Sequence, residues 1–328
     1  MRVFFVSIIL FAFSSQFVKG QFPPSAGQAG TTAIYKDSSV FVAWANGCEV
    51  TRGWQNIADT TLGKADVGDS SVALGAAGAN GVVSLGDGGI AVVTFNLPIV
   101  NGESWDFAVF ENSFSDHFLE LAFVEVSSDG KNYIRFPSTS LTDTLTQLGA
   151  FDELMDATKI NNLAGKYRAL YGTPFDLQDL AAVSSLDLNH ITHVRIIDVV
   201  GSLDPDYASY DAFNHKINDP WPTPFNSSGF DLDAVGVIHQ QPAAISENKE
   251  ESEITVYPNP VCNILYVSSA RPNKLMNVSL MNLEGTILKE TAVVDPVESL
   301  DITDIPSGLY ILKICNDNQI LYKKILKN

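Results

Sequence analysis

This 328-residue sequence predicts an all-β fold in two parts, and three observations predict it. Short runs rich in β-branched and aromatic residues recur from residue 40 to the C-terminus. Such residues suit a pleated, half-buried surface. Gly and Asn clusters break the runs at Gly75 to Gly81, Gly86-Asp87-Gly88-Gly89 and Asn101-Gly102. A polar stretch without periodicity, residues 241–252, separates a larger block from a smaller one and reads as a linker. Many short strands with turn signals argue for a sandwich rather than a parallel sheet.

In chain order, residues 1–20 come first. Met1-Arg2 supplies a positive charge, and Val3 to Phe13 is an apolar run too short to span a bilayer comfortably. This is the layout of a signal peptide, with cleavage expected near Gly20–Gln21 and no Cys there to carry a lipid. The block 21–240 follows. Its strand signals are Val40 to Trp44, Ile90 to Phe95, Trp105 to Phe110, Leu121 to Val126, Val194 to Val200 and Gly229 to Val237. An Asp129-Gly130 turn between alternating residues predicts a hairpin over Val124 to Phe136. Leu148 to Tyr171 has apolar residues at helical spacing, which predicts short helices within a long helical and loop insertion. The block 253–328 holds Ile264 to Val267, Val278 to Met281 and Tyr310 to Ile314, the pattern of a small all-β sandwich.

The formal net charge is −18. That disfavours nucleic acid, whose binding needs phosphates to be neutralised. It fits an exported soluble surface, or a bound cation or weakly basic partner. Three cysteines are too few for a disulfide framework. Cys262 and Cys315 both fall in the last block, which leaves a pairing between them open; Cys48 reads as a small buried hydrophobe. No segment after the first is long and apolar enough for a membrane helix.

Two constellations stand out as candidate sites. Alternation across a strand places Asp231 and Asp233 on one face, followed there by Val235 and Val237. Two such carboxylates repel unless solvated or bridged, and hard oxygen ligands suit Ca²⁺. Glu111 and Asp198 are expected nearby as further ligands, with Asp106, Asp204 and Asp206 as reserves. The alternative reading is a solvated rim of turn formers and caps. The second constellation is the loop 203–230, with Tyr207, Tyr210, Phe213, His215, Trp221 and Phe225 among three prolines. Stiffly held aromatics make a stacking platform for sugar or flat rings. Trp221, Tyr207, Tyr210 and Phe225 are the expected ligand contacts, with Asn218, Asp219 and Asn226 as a polar rim and Trp44, Arg52 and Trp54 towards the same end. The alternative is that these rings plug the open end of the sandwich. For catalysis there is no nucleophile elbow, HExxH helix, P-loop or dinucleotide fingerprint. His190 and His193 precede a strand and lack an evident third ligand for zinc.

The last block also carries Tyr257-Pro258-Asn259-Pro260, an Asn282-Leu283-Glu284-Gly285 turn, Gly308-Leu309-Tyr310 and a basic end at Lys323, Lys324 and Lys327. In that order these resemble the type A C-terminal sorting domain of the type IX (Por) secretion system of Bacteroidetes. The resemblance implies surface delivery or release through that machinery, with the sorting domain removed afterwards. Val126-Ser127-Ser128-Asp129-Gly130, Val194-Arg195-Ile196 and Asp231-Leu232-Asp233-Ala234-Val235 resemble galactose-binding-like jelly rolls. Residues 40–240 also resemble uncharacterised bacterial cell-surface proteins associated with nutrient capture, corrinoids included. The expectation is a Ca²⁺-stabilised surface module that binds a glycan or other small nutrient. A secreted glycan hydrolase or lyase, a corrinoid binder, and a structural or adhesive protein are the alternatives.

Overall fold

The computed structural model describes residues 22–242, 254–269, 276–293, 297–316 and 319–328. The expected signal segment and most of the expected linker lie outside the described residues. The chain divides into two compact units, Met1–Ala243 and Ala244–Asn328.

The first unit is an antiparallel β-sandwich. One sheet orders β1 (Ile34–Tyr35), β11 (Tyr171–Phe175), β6 (Phe107–Glu111), β13 (Asp231–Val237) and β2 (Ala43–Trp44), with β4 (Val83–Ser84) also pairing with β13. The other orders β3 (Gly47–Thr51), β5 (Ile90–Ile99), β12 (Ile191–Asp198), β7 (Ala122–Ser127) and β8 (Ile134–Arg135). A short pair, β9 (Thr139–Ser140) with β10 (Ile160–Asn161), lies apart from both sheets. β-branched residues at every second position explain the core. Val93 of β5, Val124 and Val126 of β7, and Val194 and Ile196 of β12 meet Phe107, Val109, Val235 and Val237 of the other sheet.

β6, β7 and β13 are buried along their whole length. The second face of β6 and β13 packs Ala108, Phe110 and Ala234 against Phe41, Trp44 and Ala77. Phe123 of β7 packs with Leu119, Leu148, Met155, Ile160, Leu163, Val199 and Ile217. The apolar residues of the 148–171 insertion thus form a satellite core, and their helical spacing does not make helices. Only a 3-10 turn forms, Ala157–Lys159, capped by the Asp156 carboxylate, which accepts from Thr158 N–H. Positive φ at Asn162, Gly165 and Leu170 breaks any helical run that periodicity suggested.

The Asp-Gly hairpin forms as expected, with Glu125 opposite Arg135 and Val126 opposite Ile134. Asp129 accepts from the backbone of Asn132 and Lys131, and these bonds hold its carboxyl far below the usual range.

The second unit is also two antiparallel sheets. One orders β14 (Ile254–Tyr257), β15 (Ile264–Ser269) and β18 (Val297–Asp301); the other β17 (Ile287–Val293), β16 (Met276–Met281), β19 (Gly308–Asn316) and β20 (Gln319–Lys327). Its core gathers Leu265, Val267, Val278, Leu280, Leu312, Ile314 and Ile325. The Asn-Leu-Glu-Gly turn closes on Asn282, whose side chain accepts from Glu284 and Thr286 N–H. Cys262 and Cys315 are both free thiols, so the pairing left open by the sequence is not made.

Candidate functional site

Antiparallel pairing brings several strand ends to one end of the first unit. β6 finishes at Glu111, which lies opposite Leu232, one residue into β13. β12 finishes at Asp198, opposite Ala122 at the start of β7. Glu120 sits two residues before that start, and Asp87 sits in the glycine turn before β5. Asp219 comes from the long loop between β12 and β13. Both sheets and two loops therefore contribute acids to the same end.

Most of these carboxylates are anchored by the backbone. Asp198 accepts from Phe230 N–H at 2.7 Å and Gly88 N–H at 2.9 Å. Asp219 accepts from Leu121 N–H at 3.0 Å. Asp87 Oδ2 accepts from Ile57 N–H at 2.8 Å and the Trp221 indole N–H at 3.0 Å. Close approach requires glycine nearby: a Cβ on Gly201 would lie 1.9 Å from Asp219 Oδ1.

Two oxygens are left over. Glu111 is 1 % exposed and Asp231 7 % exposed, and Glu111 Oε1 and Asp231 Oδ1 have no hydrogen-bond partner. The other Glu111 oxygen accepts from Ser113 N–H at 2.7 Å. Burial, opposed by the Ser113 hydrogen bond and aided by Asp231, pushes the Glu111 carboxyl up to about 8. Burial likewise raises Asp231 to about 6, against weaker lowering by Ser84, Asn112 and Arg52. Glu120, half-buried, is raised well above the usual range by desolvation and then by Glu111, Asp231, Asp219 and Asp198. Desolvation, Asp87 and Asp219 do the same to Asp198. Asp219 is raised by desolvation, Asp87 and Glu111. Among the described residues, no ion pair reaches any of these six.

Of the four expected metal ligands, the structure thus brings together Glu111, Asp231 and, through Glu120, Asp198. Asp233 stands apart: both its oxygens accept from Gly78 N–H, at 2.9 and 2.8 Å, and Lys36 acts on it. A bulge between Leu232 and Ala234 turns Val235 and Val237 to the face of Leu232. Leu232, Val235 and Val237 share the core, so the expected row of Asp231, Asp233, Val235 and Val237 is broken. Sequence reasoning missed Glu120 and treated Asp87 as part of a turn. Their only signal is position beside strand ends that topology later brings together. Asp106 is used locally, accepting from Gly102 and Leu177 N–H and pairing with His239 at 2.8 Å. Among the described residues, no three acidic, histidine or cysteine side chains already close on one point as a finished metal site.

The aromatic loop meets this end through Trp221. The half-buried indole donates to Asp87, its backbone N–H donates to Leu148 O, and Tyr207 stacks on it at 6.2 Å. Phe225 stacks on the exposed Phe151 at 5.5 Å. Tyr210 is exposed and bridges to Lys216. Asn218 and Asp219 are buried rather than forming a rim. Asn218 holds the loop by accepting from Leu148 N–H and donating to Thr146 O.

Comparison with known proteins bears on the other unit. Residues 255–328 match the secretion system C-terminal sorting domain family. No curated protein matches the chain. Among solved structures, an immunoglobulin-like β-sandwich protein from Bacteroides vulgatus is 19 % identical at TM-score 0.22, covering 24 % of this chain and 88 % of that one. PorZ, a surface component of the type-IX secretion system of Porphyromonas gingivalis, is 14 % identical at TM-score 0.21, covering 29 % of this chain and 14 % of that one. A Ruminococcus gnavus β-glucuronidase is 11 % identical at TM-score 0.24, covering 90 % of this chain and 47 % of that one. Likeness at these scores says nothing of activity. No helix among the described residues is long and apolar enough to cross a membrane. With its C-terminal strands matching that sorting family, the chain is cargo of the type IX secretion system, exported to the cell surface or released.

Proposed function

We propose that residues 21–240 are a non-catalytic binding module, stabilised by Ca²⁺ at the acidic end and presenting the aromatic loop to a glycan or other small nutrient. The observation that supports it best is the pair of partnerless buried oxygens, Glu111 Oε1 and Asp231 Oδ1. A buried carboxylate oxygen without a hydrogen-bond partner is costly, and a bound cation would satisfy both of these. The donor set is all oxygen, which suits a hard cation such as Ca²⁺. Glu111, Asp231 and Glu120 would hold it, with Asp198 and Asp219 behind them. Trp221, Tyr207, Phe225 and Phe151 are the stacking surfaces, and Trp221 ties that loop to the acids through Asp87.

The test is thermal unfolding of metal-stripped protein with Ca²⁺ added or chelated. Ca²⁺ should raise the melting temperature, and Glu111→Gln or Asp231→Asn should remove the increment. Identical melting curves with millimolar Ca²⁺ and with chelator would sink the reading. A glycan and corrinoid binding screen with and without Trp221 then addresses the nutrient.

A further inference from the structure

The end of the first sandwich remote from the acids holds a cleft of different chemistry. β13 finishes there at Val237, opposite Phe107 at the start of β6. β5 finishes there at Ile99, opposite Ile191 at the start of β12. Val42, Leu97, Val100 and Ile238 line an open cleft of about 480 Å³, together with Gly102, His239, Gln240 and Gln241. That space and its largely apolar lining suit a small organic molecule.

The polar groups of the cleft are left as acceptors. Asp106 is fully buried and accepts from Gly102 N–H at 2.7 Å, Leu177 N–H at 2.7 Å and His239 Nδ1 at 2.8 Å. A carboxylate only accepts, so Nδ1 of the neutral ring carries the proton and Nε2 keeps its lone pair. The backbone crowds the Nδ1 edge: a Cβ on Gly102 would lie 2.2 Å from that atom. The opposite edge, with Nε2, is the open one, and the side chain is 31 % exposed. Gln240 Nε2 donates to Leu97 O at 2.9 Å and Gln241 Nε2 to Asn189 O at 2.8 Å. The nitrogen ends of both amides are thus tied to backbone. Their oxygens, without a partner among the described residues, are the free polar ends.

Charge points the same way. Segments 65–130 and 217–248 supply every lining residue except Val42, and neither contains Lys or Arg. Asp176 stands within electrostatic reach of both Asp106 and His239. An anion would be repelled here, and a ligand without N–H or O–H groups would leave the three acceptors unpaired. No hydroxyl, thiol or carboxylate nucleophile lines the cleft, so the Asp106–His239 pair orients an acceptor for binding.

We propose that this cleft binds a small primary ammonium ion with an apolar body, held by His239 Nε2 and the amide oxygens of Gln240 and Gln241. An ammonium group brings three donors and the charge this end lacks. The site is separate from the acidic end and does not depend on the Ca²⁺ reading.

The test titrates the full chain, methyl-labelled, with n-hexylammonium and follows the methyl signals of Val42, Leu97, Val100 and Ile238. Hexyltrimethylammonium keeps the charge without any N–H, hexanol keeps a donor without the charge, and hexanoate reverses the charge. n-Hexylammonium should bind about tenfold more tightly than any of the three, the scale of one charged hydrogen bond. Val42 is 63 % exposed, so its side chain can be changed without opening the core. Val42→Lys should weaken binding by about tenfold and Val42→Glu should strengthen it. His239→Leu should also weaken it; Gln241→Leu is the milder variant if an unpaired Asp106 disturbs folding, which melting of each protein checks. Equal affinity for hexanoate or for hexyltrimethylammonium overturns the proposal. So does the absence of any shift in these four methyls up to the solubility limit of the amine. Equal shifts at Leu121 and Leu232, beside the acids, that survive Val42→Lys would mean ammonium ions gathering on an acidic protein, and overturn it as well.

Discussion

The first unit buries a group of acids at one end, whereas the second buries almost no charge and exposes Leu309, Ile320, Tyr322 and Leu326 on its last hairpin. Residues 254–328 contain seven Lys or Arg and seven Asp or Glu, so the net charge of −18 lies wholly in the preceding residues. Both units are antiparallel sandwiches of similar logic, and each departs from the pattern in its own way. The first gathers Glu111, Glu120, Asp198, Asp219 and Asp231 at one end. The second turns Leu309, Ile320, Tyr322 and Leu326 outwards. Local rules fail where something other than the chain itself is meant to complete the packing. An ion suits the first departure.

The largest expected effect separates the units outright. Removing residues 255–328 should abolish surface delivery and leave the first unit folded in the periplasm. Surface protease accessibility and fractionation measure it. Delivery by the truncated chain would mean that the first unit carries an address of its own, and the division of labour would fail.

The next effect belongs to the first unit alone. Ca²⁺ at a hundredfold excess over Kd should add about 2.7 kcal/mol, roughly 5–10 °C for a unit of this size. Its pH dependence has a defined sign. Glu111 and Asp231 have folded values raised to about 8 and about 6. In metal-free protein their stabilising share is complete below the ordinary carboxylate range. It is lost as pH rises towards those values, because the folded state then holds protons the unfolded state has released. The slope is up to about 1.4 kcal/mol per pH unit for each group. Ca²⁺ needs the ionised forms, so its increment should be greater at pH 8 than at pH 6. Glu111→Gln combined with Asp231→Asn should flatten both trends, and a metal-free protein that gains stability between pH 5 and 8 would contradict this.

The strands were legible because alternation reports local burial directly. The strand read over Gly229 to Val237 forms from Asp231, and the Asp129-Gly130 hairpin follows from a turn that only a few residue pairs can make. The bulge at Asp233 was not legible, since it depends on the register with β6 and leaves no mark on the composition of β13. The 148–171 segment misled because a satellite core also places apolar residues every three or four positions. Glu120 was invisible for a different reason. Its neighbours Glu111, Asp198, Asp219 and Asp231 are distant in sequence, and only topology assembles them.

A smaller effect tests the link between loop and acids. Trp221→Phe keeps a ring but removes the donor to Asp87, leaving that carboxylate with Ile57 N–H alone on Oδ2. A hydrogen bond to a charged group is worth roughly 1.5–3 kcal/mol, and the site is half-buried, so the lower end is expected. Denaturation of the Ca²⁺-loaded protein measures it. A loss of about 3–5 kcal/mol on Trp221→Ala, the scale of a core aromatic, would make the indole a plug and remove the platform.

The smallest effect lies in the second unit and concerns the Tyr-Pro-Asn-Pro opening. Asn259 is exposed, so burial cannot explain its presence. Its amide instead behaves like one more residue of a strand, donating to Lys324 O and accepting from Leu326 N–H. The motif thereby fastens the start of the unit to its last strand, although the two are more than sixty residues apart. Two exposed hydrogen bonds at the weak end of the usual range give about 1 kcal/mol for Asn259→Ala. Asn259→Asp keeps the acceptor and loses the donor, so about half that loss is expected. Amide hydrogen exchange at Leu326 reads the change locally, where a global melt dominated by the larger unit would not. Exchange at Leu326 should quicken in the order wild type, Asn259→Asp, Asn259→Ala, with Tyr310 in the core of β19 unchanged. If Leu326 exchanges at the same rate in all three, the motif does not close the edge of β20.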